Sequence, residues 1–281
     1  MAQGVAAAET SGLGYIVGKG QMKIAISGKG GVGKTLLAAL LSKIFAESGY
    51  SVIAIDADPA TSLAATLGFP SPEKITPISE MKELIAERTG ARPGEIGGSY
   101  KLNPRVDDLP EDYAAKYNNI RLMVMGQVKR GGSGCYCPEN TLLQSLVSHL
   151  LLARNEVVIM DMEAGIEHLS RATARAVDKL IIVVEPGRRS FETALKIKDL
   201  AGDIGIKNIV VVGNKVHRRA EEAFIKRSLP GLEVIAFIPY DRVLVEADIG
   251  NQPVLDASPK ITEKARQIFQ ALVASVPSPA V

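Results

Sequence analysis

Tryptophan is absent from the 281 residues, and only two cysteines and three histidines are present. Two cysteines cannot staple a disulfide scaffold, so the chain reads as a cytoplasmic protein held together by burial. An excess of either charge is missing too. The 33 basic and 31 acidic residues leave a formal net charge of +2, spread along the chain. That balance makes no electrostatic case for nucleic acid as a partner. No apolar run approaches the ~18 residues of a membrane span, so no membrane partner is expected either. Residues 1–21 lack the basic start and apolar core of a secretory signal. Rich in Gly and Ala, they read as an unstructured tail, or a misassigned start, before a single domain over 22–281. His149, His168 and His217 show no ligand spacing with one another or with the cysteines, and read as structural or exposed. With 46% hydrophobic residues, the chain can still bury an ordinary aliphatic core.

The stretch that organises the rest is Gly28-Lys29-Gly30-Gly31-Val32-Gly33-Lys34-Thr35. An apolar run, Met22 to Ser27, precedes it as a buried strand, and Leu36 to Glu47 follows with helical spacing. Strand, glycine loop and helix make a G-x-x-x-x-G-K-[ST] match into a phosphate-binding P-loop. Glycines let backbone N–H groups curl around a phosphate, and the helix start adds its unpaired N–H groups. In such a loop Lys34 reaches the β- and γ-phosphates, and Thr35 places its hydroxyl on Mg²⁺. Gly28, Gly30 and Gly33 also spell the dinucleotide pattern G-x-G-x-x-G, with Asp56 at the end of the next strand. That reading leaves Lys34-Thr35 without a use, and Asp56 is followed by Asp58-Pro59 instead of standing alone.

Lys29, at the second position of the loop, is not needed by a plain P-loop. With it, the loop resembles the deviant Walker A of the MinD/ParA/nitrogenase-iron-protein class. The resemblance implies that Lys29 reaches the nucleotide of a partner subunit, and that the active form is a homodimer closed around ATP. Those families usually carry a second Ser or Thr where this chain has Leu36, which lowers the expected nucleotide affinity.

Asp56-Ala57-Asp58-Pro59 ends the second apolar strand, Ser51 to Ile55. Carboxylates at alternate positions of an extended segment point the same way, towards the ligand crevice at the carboxyl end of a parallel strand. A solvated turn before a helix opened by Pro59 is the plainer alternative. The resemblance suggests that Asp58 orients the attacking water and that Asp56 helps hold hydrated Mg²⁺. Further on, Asp161-Met162-Glu163-Ala164-Gly165-Ile166-Glu167 resembles the switch segment of the same class. There Asp161 would hold Mg²⁺ through water, and Gly165 would offer its N–H to the γ-phosphate. Asn214, with Lys215 after it, follows a sixth strand, Asn208 to Val212. Its amide suits the edge of adenine, and equally suits a turn or cap. The resemblance favours adenine, with Pro239 and Tyr240 as the other wall of the base pocket.

Both cysteines fall in one glycine-rich block, Met125 to Asn140, as Cys135-Tyr136-Cys137. Thiolates near a helix start (Pro138 to about Arg154) and beside Lys129 and Arg130 have lowered pKa values and favour soft metals. One C-x-C supplies two thiolates, where tetrahedral Zn²⁺ or square-planar Ni²⁺ takes four ligands. A two-fold dimer would complete the set. Two packed or redox-active thiols fit the spacing as well. The block resembles that of the CooC-type nickel-insertion ATPases, and the resemblance as a whole covers about residues 22–275. The resemblance implies Ni²⁺, or Zn²⁺ in the same place, held by Cys135 and Cys137 at a dimer interface, and carbon monoxide dehydrogenase as the client. Two other readings stand beside it. One is an ATP-gated iron–sulfur carrier or reductase using the same cysteines; the other is a MinD/ParA-like positioning ATPase.

The alternation of strands and helices predicts a three-layer α/β P-loop NTPase fold with a mostly parallel, about seven-stranded sheet. Residues 70–118 read as an irregular insertion carrying one amphipathic helix, from about Ile78 to Thr89.

Overall fold

The computed structural model describes residues 21–93, 99–126, 137–250 and 252–274. In chain order they form β1 (Met22–Ser27), α1 (Lys34–Glu47), β2 (Val52–Ala57), α2 (Leu63–Thr66), α3 (Lys82–Thr89), α4 (Leu109–Asp112), β3 (Ala115–Tyr117) and β4 (Ile120–Val124). There follow α5 (Pro138–Leu152), β5 (Val157–Met162), α6 (Arg171–Ala174), β6 (Lys179–Val184), α7 (Arg188–Ile204), β7 (Ile209–Val216), α8 (Arg219–Ser228), β8 (Glu233–Pro239), α9 (Arg242–Ile249) and α10 (Pro259–Ala274).

Among the described residues the strands form one eight-stranded sheet, in the order β3-β4-β2-β5-β1-β6-β7-β8. Every pairing is parallel except that of β3 with β4. Strands β1, β2 and β5 are buried along their whole length, because helices cover both faces of a parallel sheet. One face packs against α1 and α10 through Leu37, Leu41, Phe45, Ile261, Ile268 and Phe269. The other packs against α3, α5 and α7 through Leu84, Ile85, Leu142, Leu146, Phe191 and Ile197. The Phe45 and Phe269 rings meet edge to face at 4.7 Å, which fastens α10 to the helix after the glycine loop.

Strand order reverses at β1. From it the chain crosses over β5 to reach β2, while β6, β7 and β8 add on the other side. Loops leaving the carboxyl ends of the strands part at such a point and leave a crevice for a ligand. The glycine loop leaves β1 there, between the ends of β5 and β6. The opposite edge is structural. Arg154 and Arg121 both bond Glu111 and Glu156, tying the start of β5 to β4 and to α4.

Two local expectations change. The sheet has an eighth strand, the three-residue antiparallel β3, inside the stretch read as irregular. The helix expected over Ile78 to Thr89 is instead a 3₁₀ turn, Ile78–Glu80, followed by α3. Met81, with ψ 74°, breaks the two apart, yet Ile78, Leu84 and Ile85 all reach the core.

Candidate functional site

The loop from Gly28 to Thr35 begins where β1 ends. Gly28 has φ +150°, and a Cβ there would lie 2.3 Å from the Val183 carbonyl of β6. Gly33 has φ +97°, and a Cβ there would lie 2.3 Å from the Asn214 amide nitrogen. Only glycine meets both demands, left-handed backbone and close approach. Val32 is fully buried and pins the loop's centre to the core. No side chain caps the start of α1 at Gly33, so its first N–H groups remain available to an anion. Lys34 is 5% exposed; its ammonium lies 3.5 Å from the Lys29 carbonyl and 4.0 Å from the Asp58 carboxylate.

The carboxylates converge on the same place. Asp56 and Asp161 are direct neighbours in the register of β2 and β5, and both are completely buried. Asp161 is the last residue but one of β5. Asp56 accepts from the N–H groups of Leu63 (2.9 Å) and Asp58 (3.3 Å). Asp58 turns to the loop and accepts from the Ala60 N–H at 2.9 Å. No helix opens at Pro59; α2 starts at Leu63. Burial pushes Asp56 up to about 6, against the pull of its two backbone donors. Burial pushes Asp161 up to about 7; the Thr35 hydroxyl beside it pulls the other way, and the nearby charge of Asp56 adds to the rise.

Neither oxygen of Asp161 has a hydrogen-bond partner among the described residues. A buried, orphaned carboxylate beside a P-loop threonine fits a hydrated divalent cation, which would supply the missing donors and charge.

Sequence reasoning had no role for Ser27 or Glu185. The Ser27 hydroxyl lies 2.7 Å from the Gly165 carbonyl and 3.1 Å from that of Glu163, so it ties the base of the loop to the segment after β5. Glu185, just past β6, sits 3.4 Å from the Lys29 ammonium and 3.9 Å from that of Lys215. A serine closing the apolar run before the loop was the one signal for the first. A lone acid at a strand end gave none for the second.

Asn214 and Lys215 lie within β7, not after it. The Asn214 amide donates to the Val32 carbonyl at 2.7 Å and accepts from the Lys215 N–H at 2.9 Å, so both its ends already engage the protein. Lys215, at φ +55°, donates to the Gly31 carbonyl at 2.6 Å. Both residues therefore brace the phosphate loop. Tyr240 follows β8, 41% exposed, and stacks on His217 with ring centroids 4.6 Å apart. Pro239 ends β8.

The profile of the CobQ/CobB/MinD/ParA nucleotide binding domain matches residues 23–254. The chain belongs to the CobQ/CobB/MinD/ParA family. An uncharacterized ATP-binding protein of Methanocaldococcus jannaschii is 46% identical over 256 residues, covering 90% of this chain and 98% of its own. The carbon monoxide dehydrogenase accessory protein CooC of Rhodospirillum rubrum is 43% identical over 257 residues, covering 91% and 97%. Among solved structures, the MinD cell division protein of Aquifex aeolicus superposes with a TM-score of 0.64 at 22% identity, over 91% of this chain and 99% of its own. At that identity the likeness speaks for the fold.

This member of the family thus has the P-loop ATPase core. Cys135 lies outside the described residues. Cys137 is half-buried at the N-cap of α5, and its carbonyl accepts from the Thr141 N–H. No three His, Cys, Asp or Glu side chains converge as a metal-ligand set among the described residues. A cleft of about 620 Å³ separates α5 from the segment after Gly165, with Thr141, Gln144 and Ser145 on one wall and Glu167, His168 and Ser170 on the other. No helix among the described residues is long and apolar enough to cross a membrane.

The buried carboxylates set a pH dependence. Each would titrate near 3.8 in an unfolded chain, against about 6 for Asp56 and about 7 for Asp161 when folded. Between those values the folded chain keeps protons that the unfolded chain has released, so stability falls as pH rises from about 4 to 7. With Mg²⁺ chelated, the melting temperature is expected to be higher near pH 5.5 than near pH 8. Asp161→Asn should flatten that slope. A thermal melt that climbs over this range would contradict the burial cost of the pair.

Proposed function

We propose that the chain is an ATP-hydrolysing metallochaperone that pairs as a homodimer on ATP and carries Ni²⁺ on Cys135 and Cys137. Its client in this reading is carbon monoxide dehydrogenase, whose nickel–iron–sulfur centre it helps to mature. The observation that carries the reading is the 43% identity to CooC along almost the full length of both chains. The position of Cys137 at the start of α5 supports it, because a helix N-terminus stabilises a thiolate.

In this reading Lys34 and the loop N–H groups hold the β- and γ-phosphates, while Asp58 orients the attacking water. Thr35, Asp56 and Asp161 would hold Mg²⁺, the aspartates through water; the ion would offset charge on the phosphates. Asn214, Pro239 and Tyr240 line the base. For Asn214 that requires its amide to exchange the Val32 carbonyl for the adenine edge, or to share it. Gly165 follows the γ-phosphate, and its segment forms one wall of the cleft whose other wall is α5. Nucleotide state thereby reaches the helix that starts at Cys137.

Lys29 acts across the interface. Lys29→Ala is expected to keep the fold while weakening ATP-driven pairing and lowering hydrolysis. Sedimentation with a slowly hydrolysed ATP analogue measures the pairing. An unchanged dimer with unchanged turnover would reduce Lys29 to a surface charge. Anaerobic purification with visible and EPR spectra tests the cargo, because a brown, cluster-bearing protein would replace nickel by an iron–sulfur group on the same cysteines.

A further inference from the structure

Glu185 stands between two lysines that both touch the phosphate loop. One carboxylate oxygen lies 3.4 Å from the Lys29 ammonium. The other lies 3.9 Å from the ammonium of Lys215, which itself donates to the Gly31 carbonyl at 2.6 Å. The acid is well placed to hold them. Its N–H donates to the Ser190 hydroxyl at 3.1 Å, on the first turn of α7, and this fixes the backbone at the end of β6.

We propose that Glu185 is a latch that keeps Lys29 on its own chain, so that two chains pair on ATP only by opening one latch each. The inference rests on the reading of Lys29 as the residue that crosses to the partner's nucleotide. One ammonium group cannot satisfy Glu185 in its own chain and a phosphate in the partner at once. The contact is also of the right strength to be opened. The Lys29 and Glu185 side chains are 35% and 31% exposed, and ion pairs of that kind hold with only about a 1.5- to 5-fold preference. A triphosphate brings several negative charges to the same lysines and outcompetes a single carboxylate. The latch therefore suppresses pairing of nucleotide-free chains while costing the ATP-bound dimer little.

Pairing of the full chain is measured by sedimentation over a protein dilution series, with Mg²⁺ and a slowly hydrolysed ATP analogue. Glu185→Gln keeps the shape of the side chain and removes its charge. Since two chains open two latches, its dimer is expected to form at roughly two- to twenty-five-fold lower protein concentration than the parent's. Glu185→Asp withdraws the charge by one methylene and should shift pairing the same way by less. Adding Glu185→Gln to Lys29→Ala should change pairing no further, because without Lys29 there is no crossing ammonium for Glu185 to hold back. If both Glu185 variants pair no better than the parent while Lys29→Ala pairs poorly, the latch is wrong and the role of Lys29 stands. If Lys29→Ala pairs as well as the parent, the crossing lysine falls, and the latch with it.

Discussion

Asn in place of Asp58 is expected to leave ATP bound and to lower its turnover by about 10²- to 10⁴-fold. The geometry separates the two effects. In the proposed reading binding rests on the loop N–H groups and on Lys34, which is nearly buried and also lies near the Lys29 carbonyl, so it keeps a partner when Asp58 loses its charge. Asp58 is 22% exposed at its side chain, so water reaches it, whereas Asp56 and Asp161 are sealed in the core. It is thus the carboxylate of the three that can face an attacking water. Its Ala60 N–H bond aims it, and Asn can accept that bond equally well. Turnover, followed as phosphate release, should fall while equilibrium nucleotide binding stays within a few-fold of the parent. Turnover near the parent's would remove Asp58 from the mechanism. Lys34→Ala serves as the contrast and should lose binding as well.

The strands that build the crevice were legible because parallel strands covered on both faces are short apolar runs with turn residues at their ends. β1 follows its run, Met22 to Ser27, residue for residue. β7 does not, since the run ends at Val212 while the strand continues through Gly213, Asn214 and Lys215 to Val216. Its ladder to β8 shifts register between Gly213 and Val216, and that irregularity aims the Asn214 and Lys215 side chains at the phosphate loop. Polar residues that brace the phosphate loop thus disguise the end of a strand as a loop. β3 stayed hidden for a different reason. Ala115, Lys116 and Tyr117 are mostly exposed at the sheet edge and leave no burial pattern to read.

Within the candidate site, residues belonging to a spaced motif were legible and those placed by tertiary contact were not. Gly28 to Thr35, Asp56, Asp58 and Asp161 do gather at the carboxyl ends of β1, β2 and β5. Glu185 is 156 residues from Lys29 in the chain, and Ser27 is 138 from Gly165. Neither pairing follows from spacing, because it depends on β6 and β5 both flanking β1 in the sheet.

The cysteine pair is expected to bind one metal ion per dimer instead of one per chain, and Ser in place of either cysteine is expected to weaken binding by more than ~100-fold. Two thiolates per chain leave a four-coordinate ion half satisfied, and a two-fold axis doubles every substitution. Losing outer partners of a metal ligand alone costs about 10- to 100-fold, and here two of four soft ligands become hard oxygens at once. Cys137 occupies the N-cap position of α5, so a thiolate there lies near the positive end of that helix, whereas the neutral serine hydroxyl draws little from it. ATP hydrolysis should largely survive, because the phosphate loop leaves β1 and the cysteines precede α5, beyond β4. Titration with Ni²⁺ and with Zn²⁺, read by native mass measurement, gives the stoichiometry. One tightly held ion on a monomer, or parental affinity in the double serine variant, would place the metal elsewhere and take away the chemical basis of the nickel assignment.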